Sequence, residues 1–330
     1  MPASVLETQY GDCKDKATLF IAAARAMGVD AYPVLVSSDG GVFRNHPSAS
    51  PFDHLIAAVK QEKGQHGYTF LDLTAELTPY GELPFSYQGS SVLVVHDDGL
   101  GELVTLPPVT PAENVYETHI VGSLSSTGAF TGYVTEDGRG ARQYLLRQMA
   151  IVTATTEDRQ RFVRDAGASI FGAGVGDSLV ITGGRDLLAS AHIAFALHDV
   201  QATSSAGTAQ LLTFPFHGLP LKSVIETLRD ERNRKSWIDV GQVGGYGGVT
   251  QELRLTLPPG WKATLPAPVT VDGTFGSFHT EYTQRGRNLR VVRTMMAKTG
   301  VQPPTAIPAL VAWLGQVARD DVKFIALKKP

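Results

Sequence analysis

The stretch Gly11-Asp12-Cys13-Lys14-Asp15-Lys16-Ala17 leads into an apolar, alanine-rich run that ends at Gly28. Apolar side chains recur along this run at helical spacing, which predicts a helix over residues 15–27. Gly28 suits the position after the helix, because glycine adopts the left-handed conformation without a side-chain clash. Short strand patterns follow this helix, so the first part of the chain is predicted to mix helix and sheet.

Cys13 is the only cysteine among 330 residues and stands at the start of this helical run. Unpaired N–H groups at a helix N-terminus and a basic partner are the conditions that favour a reactive thiolate. A lone cysteine more often serves as a small buried hydrophobic residue. Four charged neighbours, Asp12, Lys14, Asp15 and Lys16, argue against a dry core. Both interpretations stay open from these residues alone.

His54 is the candidate base among nine histidines. Strands are predicted over residues 32–36, 52–59 and 68–73, with a polar turn at 60–67. Two rival histidines fall elsewhere, His46 in a loop and His66 in the turn. Only His54 opens an apolar run, Leu55-Ile56-Ala57-Ala58-Val59, that would hold its ring rigidly.

Asp72 is an isolated carboxylate in the apolar run Phe70-Leu71-Asp72-Leu73-Thr74. A hairpin centred on Lys63 would place Asp72 directly opposite His54, where Cβ atoms lie about 4.5–5.5 Å apart. The carboxylate would then orient the imidazole and stabilise its charged form. The alternative interpretation is that Asp72 only caps the turn before Thr74.

These residues resemble the core of the transglutaminase-like superfamily: Gly-Asp-Cys-x-x-x-Ala before a helix, then Tyr32-Pro33-Val34-Leu35-Val36, His54 and Leu71-Asp72-Leu73-Thr74. The Asp-Cys-Lys-Asp-Lys form with Tyr80-Gly81-Glu82-Leu83-Pro84 is similar to a bacterial subgroup whose core is flanked by β-rich domains of unknown function. The C-terminal part of this chain resembles the C-terminal module of that subgroup through Leu257-Pro258-Pro259-Gly260-Trp261, Phe275-Gly276-Ser277-Phe278 and a helix led by Pro303. Leu55-Ile56 departs from the Ala-Trp that many members carry after the histidine.

The resemblance implies a papain-like site made of Cys13, His54 and Asp72. Cys13 would attack an amide carbonyl of a peptide or protein, with His54 as base and then acid and Asp72 as its orienting partner. The backbone N–H of Cys13 would help to hold the oxyanion, and the thioester would pass to water or to an amine. No cofactor and no metal are expected. The alternatives are a catalytically silent binding or structural module and, less well matched to these three residues, a β-sandwich scaffold.

The expected fold class is α+β: a papain-like transglutaminase core of helix plus antiparallel sheet, then an antiparallel, β-rich, sandwich-like domain with a few helices. A proline cluster at 107–111 places the boundary so that the core covers 1–108 and the second domain 109–330. A further division near 240–250 is left open. Only twelve residues precede Cys13, so the core is expected to be N-terminally truncated. Period-two patterns predict strands at 115–121, 129–135, 178–182, 192–198, 210–214, 251–257, 277–283, 289–295 and 322–327, and helices are predicted at 141–150, 157–170 and 306–318.

Composition narrows the classes of partner. A net charge of −3 argues against the strongly basic surface that nucleic-acid binding requires. No apolar run approaches the roughly 20 residues of a membrane span, and no signal peptide is evident. The compartment is therefore not identified, although the resemblance implies an exported or periplasmic full-length parent. Oligomeric state stays open.

Two further motifs do not predict a functional site. The glycine-rich segment 241–248 leads into a strand pattern with no following helix to bind phosphate, so it does not predict a nucleotide loop. His192 and His198 would share a strand face, but they lack a third ligand nearby in sequence and do not predict a zinc site.

Overall fold

The computed structural model describes residues 2–38, 48–65, 67–84, 86–107, 110–172, 174–213, 221–235, 237–240, 247–298 and 300–330. The chain divides into two compact units, Met1–Val109 and Thr110–Pro330. Both combine helices with largely antiparallel sheet, which confirms the predicted α+β class.

The described residues of the first unit form two helices and one five-stranded sheet. The helices are α1 (Pro2–Thr8) and α2 (Cys13–Ala26), and the strands are β1 (Ala31–Val36), β2 (His54–Gln65), β3 (Tyr68–Leu71), β4 (Ser91–Val95) and β5 (Gly101–Thr105). The strand order is β3-β2-β1-β4-β5, and every pairing is antiparallel. Helix α2 begins two residues earlier than predicted because Asp12 caps it.

Strand β2 lies inside this sheet and contributes side chains to two apolar clusters in alternation. Ala57 and Val59 pack with Ile21 and Ala24 of helix α2. Ile56 and Ala58 belong to the other cluster, with further members Val34, Val36, Phe70, Leu83, Tyr87, Val92 and Val94. Because side chains alternate along a strand, His54 shares its face with Ile56 and Ala58.

The pairing of β2 with β3 differs from the predicted register. Ala57 lies opposite Leu71 and Lys60 opposite Tyr68, so the hairpin is centred on Gly64 rather than on Lys63. The prediction that His54 lies directly opposite Asp72 is therefore wrong by two positions. The cause is an irregularity at the end of β2, between Lys60 and Gln65. A shift by two residues keeps the side chains on the same face, where diagonal neighbours are about 7–8 Å apart at the backbone.

The second unit carries four helices and fourteen strands among the described residues. The helices are α3 (Gln143–Val152), α4 (Thr156–Phe171), α5 (Leu221–Asp230) and α6 (Ile307–Asp321). The strands are β6 (Val115–Leu124), β7 (Ala129–Gly138), β8 (Gly176–Thr182), β9 (His192–Gln201), β10 (Thr203–Ala206), β11 (Ala209–Thr213), β12 (Ile238–Asp239), β13 (Gly247–Thr256), β14 (Lys262–Thr264), β15 (Thr270–Gly273), β16 (Gly276–Arg285), β17 (Asn288–Ala297), β18 (Val301–Gln302) and β19 (Phe324–Lys328).

Eight of these strands form one sheet in the order β15-β16-β17-β13-β6-β7-β9-β8. A four-stranded sheet, β10-β11-β19-β14, shares an apolar core with it, and β12 pairs with β18. In the part of this unit that the structure describes, all strand pairings are antiparallel except that of β6 with β13. Strand β13, which begins at Gly247, lies between β6 and β17. One sheet therefore contains strands from before and after the region 240–250.

Two apolar cores lie within the second unit. Helices α3 and α4 contribute Leu146, Val163 and Ile170 to the first core. Helix α5 is not among the predicted helices and presents a buried stripe of Leu221, Ile225 and Leu228 to the second core. Residues 241–246 of the glycine-rich segment lie outside the described residues.

Candidate active site

Cys13 is the first residue of helix α2, and its position is defined by a capping box. The Asp12 Oδ1 atom accepts hydrogen bonds from the N–H groups of Lys14 (2.9 Å) and Asp15 (3.1 Å). In return, the Asp15 carboxylate accepts the Asp12 N–H at 3.2 Å. Such a reciprocal pair satisfies otherwise unpaired donors of a helix start. The Cys13 side chain is half-buried, so the thiol is positioned yet accessible.

The N–H of Cys13 itself is left out of this capping arrangement. Among the described residues, none accepts a hydrogen bond from it, whereas Asp12 occupies the next two N–H groups. The first N–H groups of a helix have no partner within the helix. A backbone donor therefore lies beside the sulfur.

His54 opens strand β2, opposite Val36 at the end of β1. The preceding residue anchors this point: the Asp53 carboxylate accepts hydrogen bonds from the Ser38 N–H (2.8 Å) and hydroxyl. These bonds, the side-chain one foremost, lower the pKa of Asp53. The imidazole is 17% exposed. The rival histidines, His46 and His66, lie outside the described residues.

Asp72 follows strand β3 directly and uses its two carboxylate oxygens differently. Oδ1 accepts the N–H and hydroxyl of Thr74, at 2.8 and 2.7 Å. Oδ2 lies 3.1 Å from Nε2 of His54. Both interpretations of this residue are thus combined, because one oxygen caps the turn and the other faces the imidazole. The side chain is only 1% exposed, so its charge depends on these partners.

Tyr87 is a further member of the cluster, and the sequence patterns did not single it out. Its hydroxyl donates a hydrogen bond to Asp72 Oδ2, the oxygen that His54 also contacts. The Tyr87 ring lies 5.9 Å from the imidazole, centroid to centroid. It precedes β4 in a stretch without strand or helix periodicity, so no local signal could have identified it.

The electrostatics of the pair follow from these contacts. The hydrogen bond with Asp72, opposed by burial, raises the pKa of His54 to about 9; the charge of Asp72 and a hydrogen bond and charge from Cys13 contribute as well. Burial alone would raise the pKa of Asp72, but hydrogen bonds from His54, Tyr87 and Thr74 lower it well below its usual range. At neutral pH the pair is therefore an imidazolium and a carboxylate.

The structure thus places His54 and Asp72 in contact, and Cys13 is among the groups that raise the pKa of His54. Nε2 of His54 is engaged by Asp72, which leaves Nδ1 as the ring nitrogen available to a thiol. A thiol beside an imidazole that a carboxylate orients is the arrangement of an activated nucleophile.

Other histidines of interest have structural partners. His192 pairs with Asp137 at 2.8 Å, and His198 pairs with Asp177 at 3.1 Å. Within the described ranges, no three histidine, cysteine, aspartate or glutamate side chains are grouped as metal ligands would be. In the same part of the chain, no helix has both the length and the hydropathy needed to cross a bilayer.

Two family models each match part of the chain. The model of the transglutaminase-like superfamily matches residues 1–52, which include Cys13 and helix α2. A domain of unknown function with a solved structure, DUF3858, matches residues 221–327. The first match ends before His54 and Asp72 and therefore does not cover these two residues.

Solved structures and curated proteins add little detail. A crystal structure described as a "putative protease" from Parabacteroides distasonis is 14% identical, with a TM-score of 0.48. The alignment covers 99% of this chain and 46% of that one, so the chain spans about half of that protein. No curated protein matches the chain significantly.

Proposed function

We propose that this transglutaminase-like chain is a cysteine-dependent hydrolase or acyltransferase that acts on amide bonds of peptides or proteins through a thioester. One observation carries the proposal: Nε2 of His54 lies 3.1 Å from a buried carboxylate, and the only cysteine is among the groups that raise the pKa of this histidine.

In the first half of the reaction, the Cys13 sulfur attacks the carbonyl carbon of the substrate amide. The thiol proton resides on His54, whose charge Asp72 stabilises. The carbonyl oxygen becomes an oxyanion, for which the N–H of Cys13 is the available donor. His54 then gives its proton to the amine nitrogen, the carbon–nitrogen bond breaks, and a thioester remains on Cys13.

In the second half, an acceptor resolves the thioester. His54, now neutral, removes a proton from a water molecule or from an amine that attacks the carbonyl carbon. The carbon–sulfur bond breaks, the thiolate leaves, and His54 is again an imidazolium. Water gives hydrolysis and an amine gives transamidation; both use the same three residues.

The test is turnover of a panel of peptide amides, with and without an added primary amine, by the wild-type chain, Cys13→Ser and Asp72→Asn. Activity is expected in the wild type and should fall at least about a thousandfold in Cys13→Ser. A covalent acyl-enzyme on Cys13, trapped at low pH, should appear in the mass spectrum of the wild type only. Tyr80→Phe serves as the control, because Tyr80 is exposed and its hydroxyl binds Gln61.

The outcome also separates the enzyme from the silent binding module. A module of that kind would bind peptides without forming the acyl-enzyme, and Cys13→Ser would bind as the wild type does. Equal turnover by wild type and Cys13→Ser would exclude cysteine chemistry at this site.

A further inference from the structure

Asp72 Oδ2 is shared by two donors that approach from different parts of the first unit. His54 comes from strand β2 and Tyr87 from the segment before β4. Tyr87 is 7% exposed, and its ring packs at a tilt of 41° beside the imidazole. Its backbone carbonyl accepts the Ser90 hydroxyl at 2.6 Å, which holds the segment in place. The tyrosine is therefore a fixed part of the cluster.

We propose that Tyr87 is a positioning residue for the reaction proposed above: its hydroxyl takes part of the charge of Asp72 Oδ2 and so limits how strongly the carboxylate retains the proton of His54. Thr74 holds the other oxygen, Oδ1, and acts on the carboxylate from the far side. The hydroxyl of Tyr87 is the only described side-chain donor that competes with His54 at Oδ2.

The reason lies in the two tasks of His54. It must be charged while the thiolate forms, and it must release that proton to the leaving amine. General acids work best when their pKa lies near the working pH, yet Asp72 raises the pKa of His54 to about 9. A charge-assisted hydrogen bond from Tyr87 to the same oxygen weakens the pull of Asp72, and proton release becomes easier.

Four groups act on His54 or lie against it among the described residues: Asp72, Cys13, Asp53 and Tyr87. The experiment should remove the contribution of Cys13, because coupled groups titrate jointly. The full-length Cys13→Ser chain is therefore the background, and the titration of His54 is followed by NMR of labelled imidazoles. The His54 signal is assigned by its loss in His54→Asn.

In this background, Tyr87→Phe should raise the pKa of His54 by about one pH unit. Phenylalanine keeps the ring that packs against the imidazole and removes only the hydroxyl. Tyr80→Phe, the matched control, should leave the titration unchanged. An unchanged or lowered pKa in Tyr87→Phe, with the thermal unfolding temperature preserved, would overturn the proposal.

The second measurement concerns turnover in the chain that retains Cys13. Tyr87→Phe should lower kcat about tenfold with KM unchanged, and the alkaline limb of the pH–rate profile should move upward. A wild-type kcat in Tyr87→Phe would also overturn the positioning role. If the proposed cysteine mechanism is wrong, turnover will survive in Cys13→Ser. The titration of His54 does not depend on turnover and still tests the role of Tyr87.

Discussion

The imidazole of His54 and the carboxylate of Asp72 lie diagonally across strands β2 and β3, with Nε2 and Oδ2 3.1 Å apart. They are not cross-strand partners, since Ala57 opposite Leu71 sets the register. The contact is possible because both residues lie on the same face, where His54 begins β2 and Asp72 directly follows β3. Four hydrogen bonds then converge on one buried carboxylate, two at each oxygen.

Cys13 should react readily with an alkylating agent under mildly acidic conditions. We expect iodoacetamide at about pH 6 to modify it faster than a free thiol of pKa about 8.5, because an imidazolium stabilises the thiolate. Since Cys13 is the only cysteine, mass spectrometry reports the site directly. His54→Ala should slow the modification at least about tenfold. Equal rates in wild type and variant would show that no thiolate–imidazolium pair exists.

The His54–Asp72 pair should make stability depend on pH in a defined direction. The pKa of His54 is raised from 6.5 to about 9, so its contribution is fully present below about pH 6.5 and is lost as the pH rises through 9. One pKa unit corresponds to about 1.4 kcal/mol, so the shift sets an upper limit of about 3.5 kcal/mol, which the partial solvent exposure of the imidazole lowers. His54→Gln should therefore destabilise the chain at pH 6.5 and have little effect at pH 10, as measured by calorimetry.

The stability of the chain should also depend on pH in the acid range, through Asp72 of the same pair. Its pKa is lowered, so the stability that it contributes is present above about pH 3.8 and is lost as the pH falls further. For the alkaline range treated above, a destabilisation by His54→Gln that stayed constant from pH 6.5 to pH 10 would contradict the assignment of an ion pair.

The cap of helix α2 should contribute measurable stability. Asp12→Ala removes the acceptor for the N–H groups of Lys14 and Asp15 and should cost about 1 kcal/mol. Asp30→Ala, at an exposed aspartate between α2 and β1, is the matched control and should be nearly neutral. Calorimetry of the two variants checks the difference; equal unfolding temperatures would argue against the cap.

The second unit holds a buried ion pair that should be essential for its stability. Arg293 Nε donates to Asp320 Oδ2 at 2.9 Å, with side chains 1% and 0% exposed. Asp320→Ala leaves the guanidinium without this carboxylate and should cost about 3–5 kcal/mol. Asp272→Ala removes a partner from the exposed pair with His279 and should cost less than about 1 kcal/mol.

Tryptophan fluorescence during urea unfolding distinguishes these two variants. All three tryptophans lie in the second unit, and Trp313 is buried on helix α6, which also carries Asp320. A midpoint for Asp320→Ala equal to that of Asp272→Ala would show that the buried pair contributes no more than a surface one.

Local sequence patterns were enough to predict most of the helices and strands and to identify the candidate nucleophile. The apolar spacing after Cys13 specified helix α2, and period-two alternation identified the long strands of the second unit, such as β16 and β17. His54 and Asp72 were identifiable because each is a single polar residue beside an apolar strand pattern. These signals depend only on neighbours within a few residues, so the sequence carries them without knowledge of the fold.

Tertiary structure alone decided the pairings between distant segments. The register of β2 on β3 depends on the irregular end of β2, where no periodic signal exists. The parallel pairing of β6 with β13 joins strands that are more than a hundred residues apart. Tyr87 reaches Asp72 only because the chain between β3 and β4 turns back over the sheet face of His54. Such contacts depend on the path of the chain and on how buried polar groups find partners, which local periodicity does not encode.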